Sequence, residues 1–410
     1  MATDRMYELA FQYKKTKLWK KLHDTDIFAV KLSDGKIGYC CVMGMAGKEN
    51  AVALYPGAQA FQSYLELFEL ALNGMPPEAA GQDILFSQNC LQCAFENKDL
   101  LQPDELDEVK AYTKKHGITL RGANAFPQFI RYQPYYHPWY ISSELEQQYI
   151  CEALEACMAM AEVLEMKGKR ALGFSGYVLD ASTPDIPCLE KGNDGYIVTR
   201  IPVPEEIPVE YPSPTMKNEI TLARLKKMKK KGSLECRMVR LPMPIQESEG
   251  MPPYYPAFLA AVDTNAKKLY PTQPVLYLEE QPEDCLVAFA EVLLKAEICP
   301  KAIRTNDRRT FEMLKHLCSA VEIRLTLIDY ELPDLDGAID GLMSAMLLDP
   351  ELDDTDEESL MFEAFDMIMS LSDNELKQMP REMIVQTLEL AEAGLLPPEI
   401  ELKLRRALRK

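Results

Sequence analysis

The sequence is short of the residues and motifs on which most catalytic sites depend. Its 410 residues include only four histidines and two tryptophans. No segment matches a P-loop, a GxGxxG loop, a GxSxG elbow or an HExxH zinc motif. A Ser-His-Asp triad is assembled in space and would leave no such trace, so catalytic residues stay unknown. The absences favour a protein that is not an enzyme, and we expect no cofactor.

Long apolar runs are absent as well. No stretch approaches the ~18 uninterrupted apolar residues that cross a membrane, and the opening MATDRMYELAFQYKKTKLWKKLHD lacks the apolar centre of a signal peptide. The eleven cysteines are an odd number spread through apolar segments, which is typical of free thiols in a reducing compartment. We expect a cytoplasmic protein that makes no membrane contact.

The charge balance narrows the class of partner. Asp and Glu number 64 against 45 Lys and Arg, which gives a net charge of −19. A dedicated nucleic-acid or anionic-membrane binder needs concentrated positive charge, so both classes are disfavoured. With 47% hydrophobic residues, the chain has the composition of an ordinary globular protein, and its length predicts two or three domains.

Helical periodicity and alternating strands predict an α+β fold with two mixed sheet-and-helix domains and an all-α tail. The predicted parts are an N-terminal α+β domain over 1–170, a Pro-rich connector with one strand over 171–216, a second α+β domain over 217–348 and an acidic helical tail over 349–410. Both halves run hairpin, helix, strand, helix, strand, helix. This shared order reflects either an internal duplication or independent origins.

The sequence pattern also predicts individual elements. The periodicity predicts a first helix over 4–22 and a Lys-rich helix over about 217–231. Alternation predicts strands at DILFSQN (83–89) and ITLRG (118–122), and a single strand, GYIVTRIPVP (195–204), within the connector.

The densest candidate for a ligand site is the aromatic segment 129–140, FIRYQPYYHPWY. Its rings could line a pocket or stack a base or a sugar, with a cation and an imidazole among them. The candidate residues are Arg131, Tyr135, Tyr136, His137 and Trp139. The alternative is that the prolines hold an extended segment whose rings cover the edge of a sheet. The alternative is favoured, because no second motif assigns a chemistry.

Two cysteines form an isolated CxxC motif, Cys90 and Cys93. A structural zinc site needs a second ligand pair, and the sequence has no second CxxC and no HxxxH. The vicinal pair Cys40 and Cys41 is a conceivable partner that we disfavour. A redox site would place the motif at the N-terminus of a helix, whereas ILFSQNCLQCAFE has the pattern of a strand. We therefore expect packed thiols and no metal site.

Two charged segments have opposite sign. Residues 224–231, RLKKMKKK, are basic, whereas 349–375 contain eleven acidic residues and no basic one. The basic run could contact phosphates, neutralise the acidic tail or form a solvated helix end that suits the helix dipole. With a net charge of −19, an electrostatic contact within the protein or with a partner is favoured. The short helices predicted in the tail cannot be stable alone, so they must pack on the body, on each other or on a partner.

The segments AVALYPGAQAFQSYLEL (51–67) and PKAIRTNDRRTFEMLKHLCSAVEIRLTLIDYELPDLDGAIDGLM (300–343) resemble two domains of uncharacterised bacterial proteins, mainly from Gram-positive anaerobes. The resemblance covers about residues 1–348 and leaves the tail uncovered. It implies two domains of unknown function and supplies no activity, cofactor or site residue.

From these observations we expect a cytoplasmic, non-enzymatic protein-binding or adaptor module that meets a protein partner through its acidic helical tail. One alternative is a small-ligand binder or enzyme that uses the aromatic segment 129–140. The other is a nucleic-acid binder that uses the Lys-rich helix 224–231, which the net charge disfavours. The sequence leaves the oligomeric state open.

Overall fold

The computed structural model describes residues 2–47, 49–72, 86–174, 185–193, 195–248 and 250–347. The chain divides into two compact units, Met1–Pro208 and Val209–Lys410. Both are mixtures of sheet and helix, which confirms the predicted α+β class. The predicted acidic helical tail, 349–410, lies outside the described residues.

The first unit is an eight-stranded sheet with helices on both faces. Its helices are α1 (Asp4–Thr16), α2 (Ala58–Leu72), α3 (Pro103–Lys115) and α4 (Glu144–Lys167). Its strands are β1 (Phe28–Lys31), β2 (Ile37–Met43), β3 (Asn50–Pro56), β4 (Cys90–Glu96), β5 (Phe126–Tyr132), β6 (Trp139–Tyr140), β7 (Ile186–Gly192) and β8 (Gly195–Ile201). The strand order is β6-β5-β4-β3-β2-β1-β7-β8, and only the β1–β7 pair is parallel.

Two cores lie on the two faces of this sheet. On one face, α1, α3 and α4 bury residues such as Tyr13, Val109 and Leu154 against the strands. On the other face, α2 packs Phe61 and Tyr64 against β2 and β3. The alternation of the central strands explains this arrangement, because successive side chains point to opposite faces.

Three predictions for the first unit are corrected. The first helix ends at Thr16, because Lys17 adopts a left-handed conformation with φ of 52°, and a short 3-10 turn follows over Leu18–Lys20. Residues 83–85 of the strand predicted at 83–89 lie outside the described residues, and 86–89 form no strand, because β4 begins at Cys90. Residues 118–122 form no strand and return the chain from the end of α3.

The predicted connector is also different, because residues 186–201 form two strands of the first sheet where the sequence predicts one. Strand β7 pairs in parallel with β1, placing Cys188 opposite Ala29. Strand β8 then closes a hairpin on β7. Strands β1 and β7 are far apart in the sequence, so no local sequence pattern predicts that they pair.

The second unit is a five-stranded sheet. Its helices are α5 (Glu219–Lys227), α6 (Pro282–Lys295), α7 (Arg308–Val321) and α8 (Pro333–Leu347), and its strands are β9 (Ser233–Arg240), β10 (Ala257–Asp263), β11 (Lys268–Pro271), β12 (Ala302–Thr305) and β13 (Arg324–Leu327). The order is β11-β10-β9-β12-β13, antiparallel from β11 to β9 and parallel from β9 to β13. Helices α5, α6 and α7 cover one face, and α8 covers part of the other.

The Lys-rich helix is shorter than predicted. Helix α5 begins after Asn218, whose side chain accepts a hydrogen bond from the backbone N–H of Thr221 at 3.1 Å. It ends at Lys227, so Lys229, Lys230 and Lys231 belong to the loop that leads into β9. No helix in the described ranges is both long and apolar enough to span a bilayer.

Candidate functional site

The predicted aromatic segment forms β5, β6 and the turn between them. Arg131 and Trp139 are cross-strand neighbours, and Tyr135, Tyr136 and His137 lie in the turn. The ring of Trp139 lies 4.4 Å from that of Tyr140. Tyr135 has a φ of 70°, which indicates a tight turn. The structure thus brings the five predicted residues onto one edge of the sheet.

The guanidinium of Arg131 is held by the protein itself. Its Nε donates to Glu146 Oε1 at 2.8 Å, and its Nη1 donates to the backbone oxygens of Cys90, at 3.4 Å, and of Tyr132. The side chain is only 17% exposed. These contacts leave Arg131 little capacity to bind a ligand.

A cleft of about 220 Å³ lies beside this segment, between α1, the start of α3 and strands β5 and β6. We call it the acidic–aromatic cleft. Of the predicted segment, the residues that line it are Phe129 and Tyr140, not the five candidates. The lining consists of Ala2, Met6, Tyr7, Asp104, Glu105, Glu108, Pro127, Gln128, Phe129, Tyr140 and Ile141.

The aromatic wall of the cleft is fixed by packing. The Tyr7 ring lies 5.6 Å from Phe129 in an edge-on arrangement and 5.1 Å from Tyr112. Tyr7 and Phe129 are each 4% exposed. Rings held in this way present a preformed surface, which lowers the entropic cost of binding.

The acidic wall comes from the first two turns of α3. Glu105 Oε2 accepts hydrogen bonds from the backbone N–H of Gln102 at 3.0 Å and from Gln128 Nε2 at 2.9 Å. Glu108 Oε2 accepts from the Tyr7 hydroxyl at 3.4 Å. Burial, and then the nearby Glu108 carboxylate, raises the pKa of Tyr7, so the phenol stays a donor.

The negative charge of this wall has no cationic partner within the described part of the chain. The ion pairs found there include none that involves Asp104, Glu105 or Glu108, whereas Asp107 on the same helix pairs with Lys110 at 3.2 Å. Sequence reasoning missed these carboxylates as site residues, because acids at the start of a helix are already explained by the helix dipole. The site becomes visible only when α1 and β5 are placed beside α3.

The CxxC motif is structural. Within β4, Cys93 faces the core under α4, whereas Cys90 faces the opposite core under α2. Burial raises the pKa of the Cys90 thiol to about 12. Two sulfurs on opposite faces of a sheet cannot share a metal ion or act as one redox pair. Among the described residues, no group of three or more His, Cys, Asp or Glu side chains is placed to hold a metal.

One buried charged residue of the second unit escaped the sequence analysis. Glu235 on β9 is 6% exposed, and its Oε1 accepts from Arg304 Nη2 at 2.9 Å. Its Oε2 has no hydrogen-bond partner within the described ranges. Burial raises the pKa of Glu235, and Arg304 opposes that shift. A single acid in an alternating strand gives no signal of its burial.

Comparisons with known proteins supply no activity. The chain is similar to the HTLV-2 integrase catalytic core domain in complex with magnesium, in a trimeric form (14% identity, 35% of this chain and 88% of that chain, TM-score 0.25) and a dimeric form (16%, 35%, 88% and 0.23). Scores this low do not establish a common fold. No curated protein matches the chain.

Two family models match, one in each unit. Residues 221–343 match the model described as Domain of unknown function (DUF6930). Residues 4–175 match the model described as Domain of unknown function (DUF7309). The resemblance to two domains of unknown function is therefore confirmed.

Proposed function

We propose that this protein is a non-enzymatic protein-binding module whose acidic–aromatic cleft receives a lysine or arginine side chain of a partner. The observation that carries the proposal is the set of three carboxylates, Asp104, Glu105 and Glu108, that line the cleft without a cationic partner among the described residues. A cationic side chain would pair with these carboxylates and lie beside the aromatic residues that line the cleft, Tyr7, Phe129 and Tyr140.

The size of the cleft supports a side chain over a small molecule. Sites for cofactors and drug-sized ligands have volumes of about 300–1,000 Å³. A cleft of about 220 Å³ is smaller. Together with the internal contacts of Arg131, this volume weighs against the alternative of an enzyme or a small-ligand binder centred on residues 129–140.

Further parts of the proposal rest on the sequence. The acidic tail, 349–410, provides a second contact with a protein partner. The protein works in the reducing cytoplasm of a bacterium, in keeping with its eleven free cysteines and its resemblance to proteins of Gram-positive anaerobes.

The test is binding to an immobilised peptide library, with each bound peptide then measured by calorimetry. We expect the bound peptides to share a Lys or Arg whose replacement by Gln abolishes binding. Glu108→Gln should weaken binding about tenfold, because it removes a carboxylate from the wall, and a tenfold loss corresponds to about 1.4 kcal/mol. The same peptides should bind less tightly when residues 350–410 are deleted if the tail supplies a second contact.

Asp107→Asn is the matched control, since it removes one charge from the same helix at a residue that does not line the cleft. It should leave the affinity within about twofold. Bound peptides without a basic residue, or equal losses in the Glu108 and Asp107 variants, would contradict the assignment of the cleft.

A further inference from the structure

The parallel strands β9, β12 and β13 of the second unit all begin at the same end of the sheet. A basic residue stands at or just before the start of each strand. The backbone N–H of Lys231, before β9, donates to Cys299 at 2.9 Å, and that of Lys301, before β12, donates to Gly232 at 3.1 Å. The N–H of Arg324, the first residue of β13, donates to Lys301 at 3.1 Å. These bonds hold three cationic residues at about the 4.8 Å spacing of neighbouring strands.

The end of α5 adds the remaining lysines, and the whole set is called the basic edge. It consists of Lys226, Lys227, Lys229, Lys230, Lys231, Lys301 and Arg324. All but Lys230 are exposed. Among the described residues, the ion pair at this edge joins Lys230 Nζ to Glu322 Oε2 at 3.0 Å. One carboxylate cannot balance seven cations, so the edge is a strongly positive patch in a chain whose net charge is −19.

We propose that the basic edge is covered by the acidic segment 349–375 of the same chain. That segment has eleven acidic residues and no basic one, and it begins two residues after the end of α8 in the same unit. Fully extended, its 27 residues reach about 90 Å, far beyond the roughly 26 Å length of β9. Because the segment is covalently attached, its effective concentration at the edge is in the millimolar range.

This contact does not depend on the acidic–aromatic cleft, and it determines how the tail reaches a partner. A partner that binds the acidic segment must compete with the basic edge. A free polyanion such as nucleic acid must likewise displace the segment before it can bind the lysines. The segment and a nucleic acid are therefore alternative occupants, and experiment can separate them.

The first test is zero-length carbodiimide crosslinking of the full chain, which joins a lysine amine to a carboxylate in direct contact. We expect crosslinks from Lys229, Lys231 and Lys301 to residues 349–375 at 10 mM salt. Their yield should fall at least fivefold at 1 M salt, because the screening length drops from about 30 Å to about 3 Å. The exposed Lys217 and Lys315 are control lysines, because Lys217 pairs with Glu283 of α6 and Lys315 pairs with Glu312 within α7.

A mixture of isotope-labelled and unlabelled protein identifies crosslinks between separate chains. Crosslinks that join labelled to unlabelled protein would overturn the proposal, as would equal yields from the control lysines to 349–375. Crosslinks confined to one chain and to the basic edge would support it.

The second test distinguishes the segment from a nucleic acid. We compare the binding of a 20-nucleotide single-stranded DNA at 50 mM salt by the wild type and by a variant with a neutralised segment (Asp353→Asn, Asp354→Asn, Asp356→Asn, Glu357→Gln, Glu358→Gln). The variant should bind at least tenfold more tightly, and adding Lys229→Glu, Lys231→Glu and Lys301→Glu should reverse the gain. Equal binding by the two proteins, or binding by neither, would mean that the segment does not cover the edge.

Discussion

The two units begin with the same order of elements and build different sheets. In each unit a first helix, α1 or α5, precedes three antiparallel strands, β1–β3 or β9–β11, and a second helix, α2 or α6, follows them. In the first unit, the next strand, β4, joins the sheet beside β3 in the antiparallel sense. In the second unit, the next strand, β12, crosses to the other side and joins β9 in parallel.

The position of the fourth strand determines which loops lie side by side. Parallel strands begin at the same end of a sheet, so the residues that precede β9, β12 and β13 lie next to each other and form the basic edge. Antiparallel neighbours begin at opposite ends of the sheet, so the starts of β1–β5 in the first unit are divided between its two ends. Its cleft is instead formed where two helices, α1 and α3, meet the strand pair β5–β6. The shared order of elements therefore does not extend to the topology or to the surfaces.

The largest expected effect tests whether each unit unfolds by itself. Phe28 on β1 and Phe258 on β10 are both fully buried. Truncating either to Ala should cost about 3–5 kcal/mol, because a large cavity remains. Native-state hydrogen exchange should accelerate in β1–β5 for Phe28→Ala and in β9–β11 for Phe258→Ala.

Leu100→Ala is the control for this pair, since Leu100 is 61% exposed. It should change the free energy of unfolding by less than about 0.5 kcal/mol. If either core variant accelerated exchange equally in both sheets, the two units would be one cooperative body, and the comparison between them would lose its basis.

The sequence predicts the elements whose pattern is local. The meander β1–β3, the hairpin β10–β11 and the helices α3, α4, α6 and α7 follow from periodicity and from Gly, Pro and acidic signals at their ends. Strand β7 is not predicted, because Ile186–Gly192 lies in a Pro- and Gly-rich stretch. The segment forms a strand because it pairs with β1. The misplaced strand at 83–89 has the same cause, since pairing with β3 and β5 selects residues 90–96.

The candidate site, too, is predictable from the sequence only where its pattern is local. Aromatic density at 129–140 indicates the right region, and Phe129 and Tyr140 do line the cleft. Arg131 is instead bound to Glu146 and to backbone oxygens, which no spacing in the sequence could foretell. Glu105 and Glu108 have a complete local explanation as helix-start acids, so only the tertiary arrangement gives them a second role.

A smaller effect concerns the buried acid of the second unit. Because burial raises the pKa of Glu235 above its ordinary value of 4.5, the folded protein keeps a proton that the unfolded chain has lost. Between these two pKa values, the free energy of unfolding should fall as the pH rises, by at most about 1.4 kcal/mol per pH unit. Urea unfolding of the wild type and of Glu235→Gln between pH 4 and 7 measures this slope.

The difference between the two proteins isolates Glu235, since the surrounding Arg304, Asp334, Asp336 and Lys267 are common to both. The Gln variant mimics the protonated acid, so the two stabilities should converge at pH 4 and the variant should be the more stable at pH 7. A variant whose loss of stability relative to the wild type grows as the pH rises would show instead that the charged carboxylate, through its bond to Arg304, is the favoured form.

The smallest expected effect is a pH dependence of stability caused by His137 in the first unit. Its sign is opposite to that expected for Glu235. Partial burial lowers the pKa of His137 below its ordinary value of 6.5. The unfolded chain therefore takes up a proton before the folded protein does, and stability should fall as the pH drops below about 6.5. Because the side chain is only partly buried and still contacts water, solvent screening should hold the loss well below 1 kcal/mol. His137→Gln should remove it, and the two proteins should agree at pH 8, where both states carry a neutral imidazole. A pH dependence that survives in His137→Gln would assign it to another group, and the contrast between the two units would then depend on Glu235 alone.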